Sequence, residues 1–146
     1  MLSQRARYAL RALVYLASGR EGSVAIGEIA EAVSAPRKFL EAILLELKRH
    51  ELLVSTRGRA GGYALARPPA DISFADVIRV LDGPLALAPC ASKTAYRPCQ
   101  TCPSVEDCTV HPALVAAREA VAKVLEGWSL ATAAEEGLSS PLLASR

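Results

Sequence analysis

Residues 37–67, RKFLEAILLELKRHELLVSTRGRAGGYALAR, carry a helical pattern followed by a strand pattern. Leu40, Ile43, Leu44 and Leu47 recur at helical spacing, which predicts a helix with one apolar stripe ending near His50. Leu53–Thr56 and Gly62–Ala66 are short runs of strand-forming or apolar residues. The RGRAG tip between them supplies the glycines that a tight hairpin uses for positive φ. The expectation is a helix followed by a β-hairpin, with Arg57 and Arg59 near the hairpin tip.

Upstream, Tyr8, Ala9, Ala12, Leu13, Leu16 and Ala17 predict a helix over Gln4–Ser18, with Arg7 and Arg11 sharing another face. REG at 20–22 reads as a turn. Ile26, Ile29, Ala30 and Val33 mark a short second helix, broken by SAP at 34–36. Ser34 is placed to cap the next helix, and Pro36 falls near its first turn, where a missing N–H costs nothing. Helix, short helix, turn, helix, hairpin is the order of a winged helix-turn-helix, whose third helix enters the major groove.

Charge agrees with that order. The chain has 146 residues and a net charge of +2. Residues 1–70 carry 11 Lys and Arg against 6 Asp and Glu, whereas residues 71–146 carry 6 against 9. A basic first half suits a polyanion partner. Arg37 and Lys38 stand at the N-terminal end of the third helix, in reach of phosphates or guanine, and Glu41 is placed to accept from cytosine N4. The hairpin, with Arg57, Arg59 and Gly61, would reach the adjacent minor groove, where negative potential favours arginine. The alternatives are plainer: Arg37 and Lys38 solvating a helix start, the hairpin arginines guarding an exposed edge, and Arg7 on ordinary surface.

No apolar run reaches the roughly 18 residues that cross a bilayer, so a membrane partner is not expected. In the opening MLSQRARYALRALVYLA the arginines interrupt the apolar residues, as in an amphipathic helix and not a signal peptide. A cytoplasmic protein is expected, where disulfides are rarely structural.

Beyond the RPPAD linker, SFAD at 73–76 is a capping box opening a helix with Phe74, Val77, Ile78 and Leu81 on its buried stripe, ended by Gly83 and Pro84. A long helix is expected from Thr109 to about Gly127. Leu114, Ala117, Val121, Val124 and Trp128 form a heptad-like seam along it. One more helical turn and a fraying tail would follow.

Between these helices lie all four cysteines, spaced Cys90-x8-Cys99-x2-Cys102-x5-Cys108, with His111 just beyond. Thiolates are the natural ligands of an iron–sulfur cluster, and the Cys99-x2-Cys102 pair also suits structural zinc. A redox switch that forms disulfides is a third reading. A catalytic CxxC of the thioredoxin type needs a βαβ setting that is not present in the pattern. Cysteines that merely pack do not gather in a proline-rich loop.

RYALRALVYLA, FLEAILLELKRHELLVSTRGRAGGYALAR, with RGRAGGY its most specific piece, and DVIRVLDGPLAL together resemble the Rrf-type winged-helix regulators over roughly residues 1–135. That family includes the regulator of iron–sulfur cluster assembly and the nitric-oxide-sensing repressor. The resemblance implies a dimeric bacterial transcription regulator responding to an iron–sulfur cluster held by three cysteines and a varying fourth ligand. Cys102-x5-Cys108-x2-His111 matches the assembly regulator, whose histidine completes the site. Two departures are visible. The family's usual first-cysteine place holds Tyr96, with Cys90 upstream and Cys99 extra. The place of an acidic ligand donated by the other subunit's first helix holds Arg7.

The resulting expectation is a mainly α protein with a small β-hairpin. A winged helix-turn-helix unit spans 1–83, a cysteine-rich cluster-binding loop 84–108, a dimerisation helix 109–132 and a flexible tail 133–146. It would act as a homodimeric regulator, a repressor reading a pseudo-palindromic operator in double-stranded DNA. Cys90, Cys99, Cys102, Cys108 and His111 are the candidate ligands of a 2Fe–2S or 4Fe–4S cluster, or alternatively of zinc. The rivals are a zinc-stabilised or thiol-disulfide-switch regulator without iron, and a carrier or oxidoreductase handling thiols or clusters.

Overall fold

The computed structural model describes residues 2–102 and 104–139. Helix α1 spans Gln4–Ala17, α2 Ile26–Val33 and α3 Arg37–Arg49; strands β1 (Leu53–Thr56) and β2 (Gly62–Leu65) follow, then α4 (Phe74–Leu81), α5 (His111–Gly127) and α6 (Leu130–Ser139). Short 3₁₀ turns occupy Pro69–Asp71 and Pro89–Ala91. The protein is thus mainly helical with one antiparallel hairpin, registered Leu53 opposite Leu65 and Thr56 opposite Gly62.

The apolar stripes of the first four helices meet in one core. Leu13, Ile29, Leu40, Ile43, Leu44, Leu47, Leu52, Leu53, Ile72 and Val77 are fully buried in it, each worth about 1.5–3 kcal/mol relative to exposure. Ser3 caps α1 by accepting from the Ala6 N–H at 3.1 Å, and its own N–H donates to Asp82 at 2.8 Å, which fastens the start of α1 to the end of α4. The capping box at α4 is complete: Ser73 Oγ accepts from the Asp76 N–H at 3.1 Å, and the Ser73 N–H donates to Asp76 at 2.9 Å.

Three expectations are corrected. Ser34 does not cap α3. It sits in the left-handed region at φ 52°, and its N–H donates to the Glu31 carbonyl at 3.1 Å, so it closes α2 instead; α3 begins after Pro36 without a side-chain cap. Helix α5 starts at His111, two residues later than expected, because Pro112 takes a first-turn position that spares a backbone donor. The expected boundary between dimerisation helix and tail at 132/133 falls inside α6. Here the Leu130 N–H donates to the Ile72 carbonyl and the Phe74 N–H to the Trp128 carbonyl, both at 2.9 Å. This bridge turns the chain back so that α6 packs on α1, with Leu130 fully buried and Ala134 nearly so. Residues 140–146 of the expected tail lie outside the described residues.

Helix α5 differs from the others: none of its residues is buried. Among the described residues, no helix is long and apolar enough to cross a membrane. Leu130→Ala should lower unfolding free energy by about 2–5 kcal/mol in a urea titration, because it empties a fully buried core site.

Candidate nucleic-acid interface and thiol site

Helix α3 is fixed near its C-terminal end by polar ties that leave its outer face open. Arg5 of α1 pairs with Glu46 at 2.5 Å, and Lys48 Nζ donates to Ser55 Oγ of β1 at 2.6 Å. Phe39 meets Tyr8 edge-on with ring centroids 6.0 Å apart. Arg37, Lys38, Glu41, Ala42 and Leu45 face outward and are exposed. The hairpin continues this face. Burial, with the Glu41 carboxylate adding to it, raises the Tyr63 phenol above its ordinary range, so α3 and β2 lie within electrostatic reach of one another.

The hairpin is anchored by a contact that the sequence does not announce. Val24, in the α1–α2 connection, exchanges backbone hydrogen bonds with Tyr63, both at 2.9 Å. The backbones approach so closely that a Cβ on Gly62 would lie 2.1 Å from the Val24 carbonyl oxygen. Gly61, expected among the DNA-contacting residues, is half-buried in the turn. A Cβ there would sit 2.6 Å from the Thr56 carbonyl oxygen, so this glycine is required by the turn itself. Gly58 holds φ at +103°, the conformation that lets the tip reverse. Arg57 and Arg59 are exposed on this tip. Among the described residues, Arg7, Arg37, Lys38, Arg57 and Arg59 have no ion-pair partner. Unpaired cations on an exposed helix start and hairpin tip are the arrangement that a phosphate backbone neutralises.

The thiols occupy the segment between α4 and α5. Cys90 is buried in the 3₁₀ turn, and Cys99 Sγ lies 3.6 Å from Cys90 Sγ. Hydrogen bonding to Cys90 is the largest cause pushing the Cys99 thiol up to about 11, with burial and the neighbouring sulfurs of Cys90 and Cys102 adding to it. Cys108 is shifted the opposite way: backbone N–H groups of Val110 and His111, at the start of α5, lower its thiol, and Cys102 contributes as well. Cys90 and Cys99 are the sulfur pair in contact, and Cys102 acts electrostatically on both Cys99 and Cys108. His111 Nε2 lies 3.1 Å from the Cys90 carbonyl oxygen. A carbonyl only accepts, so Nε2 donates this bond, and the tautomer it selects is the one whose Nδ1 is the acceptor nitrogen.

These residues suit a thiophilic metal in donor type and in part of their geometry. Zinc–sulfur bonds of about 2.3 Å put two ligands of a tetrahedral atom about 3.8 Å apart, close to the 3.6 Å between Cys90 and Cys99. Among the described residues, however, no three Cys, His, Asp or Glu donors close into a finished cage. Closing one requires Cys102 and Cys108 to move onto the Cys90–Cys99 edge. Tyr96 is exposed, away from any ligand role.

Helix α5 leaves this loop carrying the expected seam. Val121 and Val124 are 45% and 57% exposed, and Trp128 packs only partly, against Phe74 at 6.3 Å between centroids.

Comparison with known proteins bears on this arrangement. Residues 2–136 match the Rrf2 family model, described as an iron-dependent transcriptional regulator. An rrf2-like HTH-type transcriptional regulator of Rhodobacter capsulatus is 42% identical over 114 residues, covering 75% of this chain and 76% of that protein. CymR, the global cysteine regulator of B. subtilis, superposes with a TM-score of 0.74 at 29% identity, over 93% of this chain and 97% of CymR. IscR of T. potens superposes with a TM-score of 0.71 at 28% identity, over 94% and 88% respectively.

Two measurements test the site. Gly62→Ala should cost about 1–3 kcal/mol in urea melting, because the added carbon parts the Val24–Tyr63 hydrogen bonds. In reduced, metal-free protein at pH 8, Cys108 should be alkylated by iodoacetamide well before Cys99, as read by peptide mass spectrometry. A lowered thiol offers a larger thiolate fraction at that pH, whereas one at about 11 remains protonated.

Proposed function

The chain belongs to the Rrf2 family of winged-helix transcriptional regulators, a family of regulators and not of enzymes, and we propose that it acts as a homodimeric repressor whose grip on DNA answers to an iron–sulfur cluster held by its thiol loop. The observation that carries the sensing half is the placement of all four thiols, Cys90 and Cys99 in contact at 3.6 Å, on the segment that joins the winged-helix unit to α5.

Dimerisation rests on α5. Leu114, Ala117, Val121, Val124 and Trp128 repeat at heptad-like spacing, and none of them is buried within the monomer. A second copy of α5 would cover that seam, and a two-fold pair of α3 helices then reads a pseudo-palindrome. Arg37 and Lys38 would meet phosphates or guanine in the major groove, Glu41 would accept from cytosine N4, and Arg57 and Arg59 would enter the minor groove. Arg7 would touch the backbone. Gly61 contributes by shaping the wing. The protein would work in the cytoplasm, where free thiols stay reduced.

Cys90, Cys99, Cys102 and Cys108 would hold the cluster, with Nδ1 of His111 as the alternative fourth ligand. The 3.6 Å Cys90–Cys99 spacing suits one iron of a two-iron cluster, which takes two thiolates. When bound, such a cluster supplies reactivity toward oxidants and nitric oxide. The chain's own part is mechanical: the loop is tied to the α5 start through His111 and the Cys90 carbonyl, and to the α5 body through Lys93 and Glu119 at 3.0 Å. Ordering or releasing the loop therefore shifts the pose of α5, and a regulator of this kind works by binding one pose better than the other.

A second reading keeps the regulator and drops the iron. Cys90 and Cys99 are close enough to oxidise to a disulfide with small movements, or to bind zinc. Anaerobic purification separates the readings. The cluster reading expects brown protein with stoichiometric iron and sulfide, lost in Cys108→Ala. Colourless protein with one zinc per chain, or with neither metal, decides for the alternative. Arg59→Ala should weaken operator affinity about tenfold and reduce the salt dependence of binding by about one phosphate's worth, measured by fluorescence anisotropy.

A further inference from the structure

A cleft of about 260 Å³ opens between the end of α4, residues 84–94 and the outer side of α5. No residue of α3 or of the hairpin lines it, and neither does any cysteine. Four cations reach it, Arg79, Lys93, Arg118 and Lys123, against two carboxylates, Glu119 and Glu126. Glu126 is occupied by Arg79 at 2.5 Å, and Glu119 is shared by Lys93 at 3.0 Å and Arg118. Hydrogen bonding from Lys93, with the Arg118 charge adding to it, holds the Glu119 carboxyl below its usual range. The cleft keeps a surplus of two positive charges, and Lys123 has no ion-pair partner among the described residues.

Arg118 is the member that asks for a ligand. Its side chain is only 12% exposed. One end of the guanidinium donates to Glu119, while Nε is buried with no hydrogen-bond partner. Buried polar atoms are nearly always satisfied, and a guanidinium with a free N–H beside a second cation is the donor set that oxyanions occupy. Ser92 and Thr94 add hydroxyl groups to the same wall. The volume admits a tetrahedral oxyanion or a small molecule bearing one.

We propose that this cleft binds a small dianion of the phosphate or sulfate type, with Arg118 and Lys123 as its principal contacts. The site joins α4 of the winged-helix unit, the segment leading from Cys90, and α5, and no cysteine lines it. The test is isothermal titration of the full chain with inorganic phosphate and with sulfate, against chloride at matched ionic strength. Saturable binding of one anion per chain is expected, weakened about tenfold by Arg118→Gln and by Lys123→Gln. It should be kept in the Arg57→Ala/Arg59→Ala double variant, since anions held by the DNA face would be lost there. Lys123 is exposed, so its variant decides the matter if Arg118→Gln fails to fold. Absence of binding beyond the chloride control would overturn the proposal. So would binding that follows the hairpin arginines and survives Lys123→Gln.

Discussion

The backbone pairing of Ile72 and Phe74 with Leu130 and Trp128 decides what the second half of the chain is able to do. Two hydrogen bonds are worth little net energy, about 0.5–1.5 kcal/mol each. They do fix direction. By turning the chain at Trp128 they send α6 into the core, where Leu130 is fully buried, and they pin the far end of α5 to α4. The near end of α5 is pinned by His111 against the Cys90 carbonyl. A 17-residue helix held at both ends and fully buried nowhere is a strut about 25 Å long, and Val121 and Val124 on its apolar side are exposed within the monomer.

The charged groups divide along the same line. On the α4–α5 side, Arg79 pairs with Glu126, and Lys93 and Arg118 share Glu119. On the α3 and hairpin side, the cations stand without carboxylate partners among the described residues, and the ion pair that exists, Arg5 with Glu46, lies at the far end of α3 from Arg37 and Lys38. Both of its side chains are about a third exposed or more, so solvent screens it and its contribution to stability is at most about 1 kcal/mol. Its effect is to orient: with the Lys48–Ser55 bond, it fixes how α3 sits against α1 and the hairpin.

Local chemistry was readable in the sequence wherever it acts over a few residues. The stripes of α1, α2 and α3 follow the 3.6-residue period. The hairpin follows from its glycine-rich tip. The Ser73–Asp76 capping box is complete within four residues. What escaped reading depends on distant partners. Gly62 is a glycine because of Val24, 38 positions earlier, and a single bridging pair leaves no periodic trace. Helix α6 is rich in small residues and has a weak stripe, so only its bridge to Ile72 reveals that it completes the core. Ser34 carries the right side chain for an N-cap, but φ of 52° commits it to ending the previous helix. The thiol count was plain from sequence; the Cys90–Cys99 contact and the tie of His111 to a carbonyl were not, because loop geometry in a proline-rich segment has no period.

Under the proposed function, the loop sets what kind of signal is transmitted. Its backbone is held by few long-range bonds, so its opening costs little and its population is open to bias by ligands. Driving a two-state equilibrium from one side to the other takes about 5.5 kcal/mol of differential binding. A disulfide between Cys90 and Cys99 closes a loop too short to supply more than about 3 kcal/mol, and part of that is spent on strain. Coordination by several thiolates offers about 10–16 kcal/mol in structural zinc sites, so a fraction of it that distinguishes two poses of α5 is enough. On this arithmetic a metal centre gives an all-or-none regulator, and a lone disulfide gives a graded one.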